Sequence, residues 1–233
     1  MKFSEECRKS AAKWWEGSFD HPFIKGIGDG SLSLDRFQYY VLQDSYYLTH
    51  FAKVQTFAAA NADDLYVTSR MAEHAKGTYE AELSLHRKFV KLLGITEDQK
   101  NMFQPSPTAY AYTSHMYRSV LSGSFPNILA ALLPCYWLYY EVGETLKPCK
   151  PKNEIYQEWI ATYGGDWFKK LVTEQVDRFD QLAEKNSAET RLKMKENFVI
   201  SSYYEYQFWN MAYEKEGWSK NGVKPFANTC DHR

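Results

Sequence analysis

The segment that most constrains the fold of this chain is its longest apolar and aromatic run, residues 128–140. The run is shorter than the roughly 20 residues that a helix needs to cross a bilayer, and it contains Pro134, so it predicts a buried helix. Proline lacks the N–H that would bind the carbonyl oxygen four residues earlier, and we therefore expect a bend next to Cys135. A bent helix walled by rings leaves room for a ligand, although a buried cysteine is also an ordinary small apolar residue.

Start and stop signals divide the chain into successive helices, and no segment has the alternation of a β-strand. Residues 21–30 are rich in glycine and are predicted to be turns, while Gly94 is predicted to end a third helix that starts at Asp63 or Asp64. The other predicted starts are Ser4, Ser33, Thr108, Pro126, Asn153, Asp166 and Ser187. Since a chain of 233 residues fits one core, the sequence predicts an all-α single domain.

Charge, cysteine spacing and the first residues argue against several classes of protein. The net charge of −1 lacks the basic footprint of proteins that bind duplex DNA. The N-terminal segment is polar and acidic, unlike a secretory signal, so we expect a cytoplasmic protein without a membrane segment. The cysteines have no C-x-x-C spacing, which argues against a disulfide framework and a zinc site; they are Cys7, Cys135, Cys149 and Cys230.

Two carboxylates interrupt the apolar faces of predicted helices. Asp44 falls in the second helix, within an apolar row that consists of Phe37, Val41, Leu48 and Phe51. Tyr47, three residues after Asp44, points to nearly the same side. Glu205 falls in a similar row of the last helix, where lost hydration among aromatic rings should raise its pKa and keep it protonated near neutral pH. Because a buried carboxylate is costly unless a side chain or ligand pairs with it, both residues mark a candidate site.

The third predicted helix offers a possible metal site, formed by Glu73, His74, Glu80, Glu82 and His86. Helical bundles bind two irons through paired glutamates and Glu-x-x-His repeats. Here Glu82 and His86 are four residues apart and no other helix carries a matching repeat, so we interpret the set as a solvated, charged helix face. A haem or di-iron oxygenase that uses His74, Glu82 or His86 stays open as an alternative.

Four separate motifs carry a resemblance to a known family. They are residues 42–48 (LQDSYYL), 133–139 (LPCYWLY), 162–165 (TYGG) and 203–209 (YYEYQFW). In this order they resemble the TenA, or thiaminase II, family of aminopyrimidine aminohydrolases. The likeness extends over almost the whole chain, from Phe3 to about Trp218. It predicts a catalytic domain over residues 1–218 and leaves residues 219–233, with Cys230, as a polar tail.

The resemblance implies a haem-oxygenase-like helical bundle, a homotetramer, and an enzyme that needs no cofactor or metal. It implies hydrolysis of 4-amino-5-aminomethyl-2-methylpyrimidine to the hydroxymethyl compound with release of ammonia, and slower cleavage of thiamin, as steps of thiamin salvage. By motif match, Cys135 is the nucleophile, Glu205 the proton donor and Tyr47 the group that assists the cysteine. The residues expected around the pyrimidine are Asp44, Tyr112, Tyr139, Tyr163 and Phe208.

The chemistry of this reaction calls for a thiol and an acid. A thiolate adds to the ring carbon beside the one that bears the methylene, while an acid protonates the adjacent ring nitrogen; the ring then expels the amine and water adds to the methylene. Apolar surroundings should raise the pKa of the Cys135 thiol, and a hydrogen bond from Tyr47 would offset this. Asp44 suits the ring edge that carries an amine and a nitrogen, and Tyr163 or Phe208 suits a ring face.

A binding or regulatory role is the second alternative, because this family has been described as an activator of secreted-enzyme expression. The net charge argues against direct contact with DNA, so any regulation would be indirect.

Overall fold

The fold of the chain is entirely helical in the part that the structure describes. The computed structural model describes residues 1–218, apart from the side chains of residues 81–83 and 86. The described helices are α1 (Phe3–Ser10), α2 (Ala12–Asp20), α3 (Pro22–Asp29), α4 (Leu34–Ala60), α5 (Leu65–Gly77), a π-helical segment (Thr78–Glu82), α6 (Leu83–Leu92), α7 (Glu97–Asn101), α8 (Pro107–Val120), α9 (Phe125–Leu146), α10 (Glu154–Tyr163), α11 (Asp166–Lys185) and α12 (Ala188–Glu214). The all-α prediction is confirmed.

Helix α9 is the central element of the bundle. It packs against α4, α8, α10, α11 and α12, and its residues 125–134 are all buried. The apolar run that predicted a buried helix therefore lies where its composition places it. No helix within residues 1–218 is both long enough and apolar enough to cross a membrane.

Pro134 lies inside α9, as predicted. One turn earlier, the carbonyl oxygen of Ala131 accepts a hydrogen bond of 2.8 Å from Ser201 Oγ of α12. Ser201 in turn lies 3.1 Å from His115 Nε2 of α8, so three helices are joined by hydrogen bonds beside the proline. The bend itself stays a prediction.

The predictions for the N-terminal region are wrong at two points. Ser4 does not cap a helix; it lies inside α1, where its N–H and hydroxyl both donate to the Asp180 carboxylate, at 2.7 and 2.9 Å. Residues 21–30 are not turns but mainly the helix α3. A Cβ on Gly26 would lie 2.9 Å from Leu32 Cβ, so this glycine permits close packing and does not mark a turn.

The third predicted helix is interrupted by a π-helical segment, which we did not predict. Asp64 caps its start by accepting from the Val67 N–H, as expected, but the helix is α-helical only to Gly77 and resumes after five π-helical residues. Helix α7 was also missed.

The other predicted helix starts agree with the structure to within two residues. Ser33, Asn153 and Ser187 are N-caps, and Pro126 lies in the first turn of α9. Helix α8 begins one residue before Thr108, because Ser106 is its N-cap, and α11 is capped by Gly165 instead of Asp166. The predicted tail 219–233, with Cys230, lies outside the described residues.

Candidate functional site

A cavity of about 450 Å³ lies between α4, α5, α9, α10 and α11. One end is walled mainly by aromatic and apolar side chains, and the mouth carries paired charges. The residues that line it include Asp44, Leu48, Phe51, Arg70, Glu73, His74, Lys76, Thr78, Glu80, Cys135, Tyr136, Tyr139 and Tyr163. A volume of this size is typical of a small-molecule site.

Four of the predicted site residues line this cavity: Asp44, Cys135, Tyr139 and Tyr163. Asp44 is only 3% exposed, which confirms its predicted burial. Cys135 and Tyr139 are one turn apart on α9 and therefore share a face. The structure thus brings together residues from three helices that are far apart in the sequence.

The position of Tyr163 depends on two glycines that let α9 and α10 touch. A Cβ on Gly143 would lie 2.4 Å from the backbone nitrogen of Gly164, so no larger residue fits at this crossing. This approach brings the Tyr163 ring to 4.9 Å from that of Tyr139, centroid to centroid, at 61°. Gly143 of α9 and Gly164 of the third motif are therefore needed for helix packing at the cavity wall.

Glu205 is 2% exposed and forms a hydrogen bond with Tyr112, whose hydroxyl donates to Glu205 Oε1 at 2.5 Å. Burial raises the pKa of Glu205 to about 8; the hydrogen bond from Tyr112 opposes this shift, and the negative charge of Asp44 adds to it. The predicted rise of this pKa is confirmed. At neutral pH the carboxyl group is mostly protonated and can donate a proton.

Tyr47 links Cys135 to this acid. Its hydroxyl is buried, and no described residue forms a hydrogen bond of normal distance and angle with it. Burial raises its pKa well above the usual value, and the next causes are nearby Cys135, Tyr112 and Glu205. Burial likewise raises the pKa of Tyr112 well above its usual value, and Glu205 and Cys135 add to this shift. The thiol and the carboxyl group therefore both lie close to this pair of tyrosines.

Phe208, Tyr47, Tyr112 and Glu205 are not among the side chains that line the cavity. The Phe208 ring is buried and stands edge-on to Tyr47, with centroids 5.6 Å apart. The Tyr47 ring also packs against that of Tyr112, with centroids 4.9 Å apart, so these four side chains form one connected group.

His74, which the sequence offered only as a metal or haem ligand, and Tyr136, which it did not indicate, line the cavity as well. His74 is 4% exposed, so assigning it to a solvated helix face was wrong. Burial lowers its pKa, and it is therefore neutral at pH 7. A usable signal was its spacing from Met71, because the two residues are three apart and both are buried on one face of α5.

The acidic residues of the candidate metal set that the structure describes are paired with cations at the mouth. Glu73 binds Arg70, and Glu80 lies 3.4 Å from Lys76. Within the described side chains, no group of three potential ligands is arranged to hold a metal ion. The side chains of Glu82 and His86 lie outside the described residues.

Comparisons with known proteins identify relatives of this chain. The model of the TENA/THI-4/PQQC family matches residues 8–215. The chain is 72% identical over 224 residues to the aminopyrimidine aminohydrolase of Bacillus subtilis strain 168, covering 96% of this chain and 95% of that protein.

Solved structures of other proteins have a similar fold. A TenA homologue from P. horikoshii OT3 superposes with a TM-score of 0.84 at 26% identity, covering 92% of this chain and 99% of that one. A domain with a heme oxygenase-like fold from Shewanella denitrificans OS217 superposes with a TM-score of 0.71 at 15% identity, covering 96% and 97%. The second likeness concerns the fold alone, and it confirms the predicted haem-oxygenase-like bundle.

Proposed function

Because the chain belongs to the TENA/THI-4/PQQC family, we propose that it hydrolyses 4-amino-5-aminomethyl-2-methylpyrimidine to the hydroxymethyl compound and ammonia. It also cleaves thiamin, more slowly, to the same pyrimidine and the thiazole alcohol. The observation that carries this proposal is a buried carboxyl group, Glu205, with a pKa of about 8. Besides burial, Glu205 and Cys135 both raise the pKa of Tyr47 and of Tyr112, so the acid and the thiol lie near the same two tyrosines. Cys135 also lines the aromatic cavity.

The reaction begins when the Cys135 sulfur, as thiolate, bonds to the ring carbon next to the one bearing the methylene. The π bond between this carbon and the adjacent ring nitrogen breaks, and its electron pair moves to the nitrogen. Glu205 gives its proton to this nitrogen, so no negative charge builds up on the ring. The ring electrons then break the bond from the methylene to the amine, which leaves as ammonia from its protonated form. One difficult displacement is thereby divided into easier steps.

Water completes the reaction at the exposed methylene. Its oxygen bonds to this carbon and releases a proton to solvent. The carbon–sulfur bond to Cys135 then breaks, aromaticity returns, and the ring nitrogen gives its proton back to Glu205. Sulfur, carboxyl group and proton count are all as they were before turnover.

Asp44 binds the ring edge that carries the exocyclic amine and a ring nitrogen. Its burial next to apolar side chains strengthens this charge-assisted contact. Tyr139 and Tyr163 hold the ring from the α9 and α10 side. Tyr112 orients Glu205 through its hydrogen bond, and Phe208 holds the Tyr47 ring in place by packing against it.

Tyr47 assists the cysteine. Among the side chains that the structure describes, no group makes a hydrogen bond of normal distance and angle with its buried hydroxyl, which is costly unless a reaction partner uses it. A hydrogen bond from this hydroxyl to the developing thiolate offsets the apolar surroundings of Cys135.

Replacement of Cys135 tests the proposal. Cys135→Ala is expected to abolish release of ammonia from the aminomethylpyrimidine and of thiazole alcohol from thiamin, measured by chromatography of both substrates and products. Cys149→Ala is the matched control, because Cys149 is also partly buried but lies outside the cavity. Retained turnover in Cys135→Ala, with circular dichroism unchanged, would refute the role of the thiol.

The family assignment also supports a cytoplasmic homotetramer whose catalytic domain is residues 1–218. Several large apolar side chains are exposed on the single chain, among them Leu65, Tyr66 and Leu121, and such side chains are often covered by subunit contacts. Sedimentation equilibrium should give four times the chain mass of 27.3 kDa. A monomer would contradict the tetramer without affecting the chemistry.

A further inference from the structure

Two rows of side chains meet where α12 packs against α9, and each row has a reactive group at its centre. The members of each row are four residues apart, so they lie on one face of their helix. The rows are Ala131, Cys135 and Tyr139 on α9, and Ser201, Glu205 and Trp209 on α12.

The two rows are in contact at both ends. At the first end, Ser201 Oγ donates to the Ala131 carbonyl oxygen at 2.8 Å. Eight residues further along each helix, the Trp209 ring lies 5.0 Å from the Tyr139 ring, centroid to centroid. Because equal steps along both helices lead from one contact to the other, the two helices run in the same direction here. The turn between the contacts is the one that carries the thiol and the carboxyl group.

The thiol and the carboxyl group of this middle turn lie near the same two tyrosines. Burial is the main cause of the raised pKa of Tyr47 and of Tyr112, and Cys135 and Glu205 both add to it. The Tyr112 hydroxyl also donates to Glu205 Oε1 at 2.5 Å. Since one reactive group is on α9 and the other on α12, the position of these helices relative to each other decides the distance between the two groups.

The hydrogen bond of Ser201 to α9 has a fixed direction. A carbonyl oxygen only accepts, so the hydroxyl proton of the serine points to Ala131. The other neighbour of this hydroxyl is His115 Nε2 on α8, at 3.1 Å. Partners on two different helices hold the serine side chain in one orientation.

This bond lies at the turn of α9 that holds the nucleophile. In a regular helix the Ala131 oxygen is also the acceptor of the Cys135 N–H. Pro134, which gives no N–H to the helix, weakens the same turn, so a contact from another helix supports it. Ser201 and Ala131 are both 0% exposed, and solvent therefore cannot take the place of the serine hydroxyl without a rearrangement.

We propose that Ser201 is a positioning residue, which holds α12 against α9 and thereby sets the distance between the Cys135 sulfur and the Glu205 carboxyl group. The inference rests on the proposed function, in which the sulfur adds to a ring carbon while the acid protonates the adjacent ring nitrogen. Both groups must reach neighbouring atoms of one ring at the same time, so a small error in their separation slows this step.

Binding of the pyrimidine should depend little on Ser201. The residues that hold the ring in the proposed function are Asp44, Tyr139 and Tyr163, which lie on α4, α9 and α10. A displaced α12 therefore slows the reaction more than it weakens binding. This difference separates positioning from a general loosening of the cavity.

Removal of the serine hydroxyl tests the inference. Ser201→Ala is expected to lower kcat for both substrates about 10-fold, while the Kd of the hydroxymethylpyrimidine product, measured by isothermal titration calorimetry, stays within about twofold of the wild type. Ser202→Ala is the matched control, because Ser202 is equally buried on the same helix and its described hydrogen bonds are with Trp15 and the Phe198 carbonyl. Its kcat should stay within about twofold of the wild type.

A second variant carries the test if Ser201→Ala does not fold, which circular dichroism establishes. Ser201→Cys has a side chain of nearly the same size, but its thiol is a weaker donor than a hydroxyl. We expect a smaller fall in kcat, of about threefold, again with an unchanged Kd. A kcat of Ser201→Cys equal to that of Ser202→Ala would then overturn the inference.

The outcomes distinguish this inference from the proposed function. Equal kcat values in Ser201→Ala and Ser202→Ala overturn the positioning role, since the loss of either buried hydroxyl then has the same effect. A product Kd that weakens as much as kcat falls also overturns it, because the whole cavity is then loosened. Wild-type protein that converts neither substrate contradicts the proposed function itself, whereas wild-type protein that converts both leaves the two results above to decide the role of Ser201 alone.

Discussion

Two buried polar clusters flank the cavity, and they differ in how completely their hydrogen bonds are made. The reaction cluster consists of Tyr47, Tyr112, Cys135 and Glu205. In it, the Tyr47 hydroxyl makes no hydrogen bond of normal distance and angle with the described part of the chain, and Glu205 has a pKa of about 8. The support cluster consists of Gln55, His74, Tyr136, Gln175 and Arg178, and its two amides and its imidazole use both of their polar atoms.

The difference in hydrogen bonding indicates different roles for the two clusters, one in the reaction and the other in holding the fold. A buried polar group that lacks a partner lowers stability, whereas a saturated network holds one geometry. We therefore expect changes in the reaction cluster to cost mainly turnover and changes in the support cluster to cost mainly stability. The following experiments test this division.

The largest expected effect is on turnover in Glu205→Gln. The amide keeps the shape of the carboxyl group but cannot cycle a proton, so ammonia release should fall about 1,000-fold, equivalent to about 4 kcal/mol. Turnover of the wild type should decline as pH rises through about 8, where Glu205 loses its proton. Glu144→Gln, at the exposed end of α9, is the control. Activity within tenfold of the wild type would remove Glu205 from the mechanism.

The next effect is on stability, in Arg178→Met. This change leaves Gln175 Oε1 without its donor and removes one partner of Glu174, so the free energy of unfolding should fall by about 3 kcal/mol. Urea denaturation followed by circular dichroism measures it. Arg118→Met, on the exposed face of α8, should change the stability little. Equal stability of the two variants would mean that the support cluster does not stabilise the fold.

The pH dependence of stability gives a smaller effect of known sign. The pKa of Glu205 is raised from 4.5 to about 8 on folding, so between these values the native protein holds a proton that the unfolded chain has lost. Stability from this group is complete below pH 4.5 and is lost as pH rises towards 8. Between pH 6 and 7.5 the wild type should lose about 2 kcal/mol relative to Glu205→Gln. Parallel urea midpoints for the two proteins would contradict the raised pKa.

The smallest effect is expected in Tyr47→Phe, where the two clusters differ most. Turnover should fall about 10-fold, or about 1.4 kcal/mol, because the thiolate loses a donor. The free energy of unfolding should stay equal or rise, since a buried hydroxyl without a hydrogen bond of full geometry is removed. Tyr112→Phe is the comparison variant and should be less stable, because Glu205 loses its bond. A loss of stability in Tyr47→Phe similar to that in Tyr112→Phe would show that the two hydroxyls are equivalent.

The reaction cluster was largely predictable from the sequence, for a local reason. Asp44 and Glu205 are charged residues in apolar rows, and a row is visible within a few turns of one helix. The spacing of Cys135 and Tyr139 likewise places both on one face of α9. The buried positions of the two carboxylates and the high pKa of Glu205 are confirmed, whereas the roles of these residues in the reaction stay predictions.

The support cluster was not predictable, because its bonds join distant parts of the chain. His74 binds Tyr136 and Gln175, which lie on two other helices, and nothing near His74 in the sequence indicates either partner. Its neighbours Glu73 and Lys76 are charged, so the segment resembles an exposed face. Burial of this histidine is decided by tertiary packing and not by the local pattern.

The π-helical segment Thr78–Glu82 has a consequence for how this chain tolerates insertion and deletion. A wider turn accommodates a surplus residue, so α6 is rotated relative to α5, and Phe89 faces the rings of the core while His74 faces the cavity. Removal of a single residue here would restore regular winding and swing Phe89 away from Phe37. Because of the extra residue, α5 faces the cavity while α6 faces the core. Deletion of one codon in this segment would therefore misalign α6 in the bundle without altering any residue of the reaction cluster.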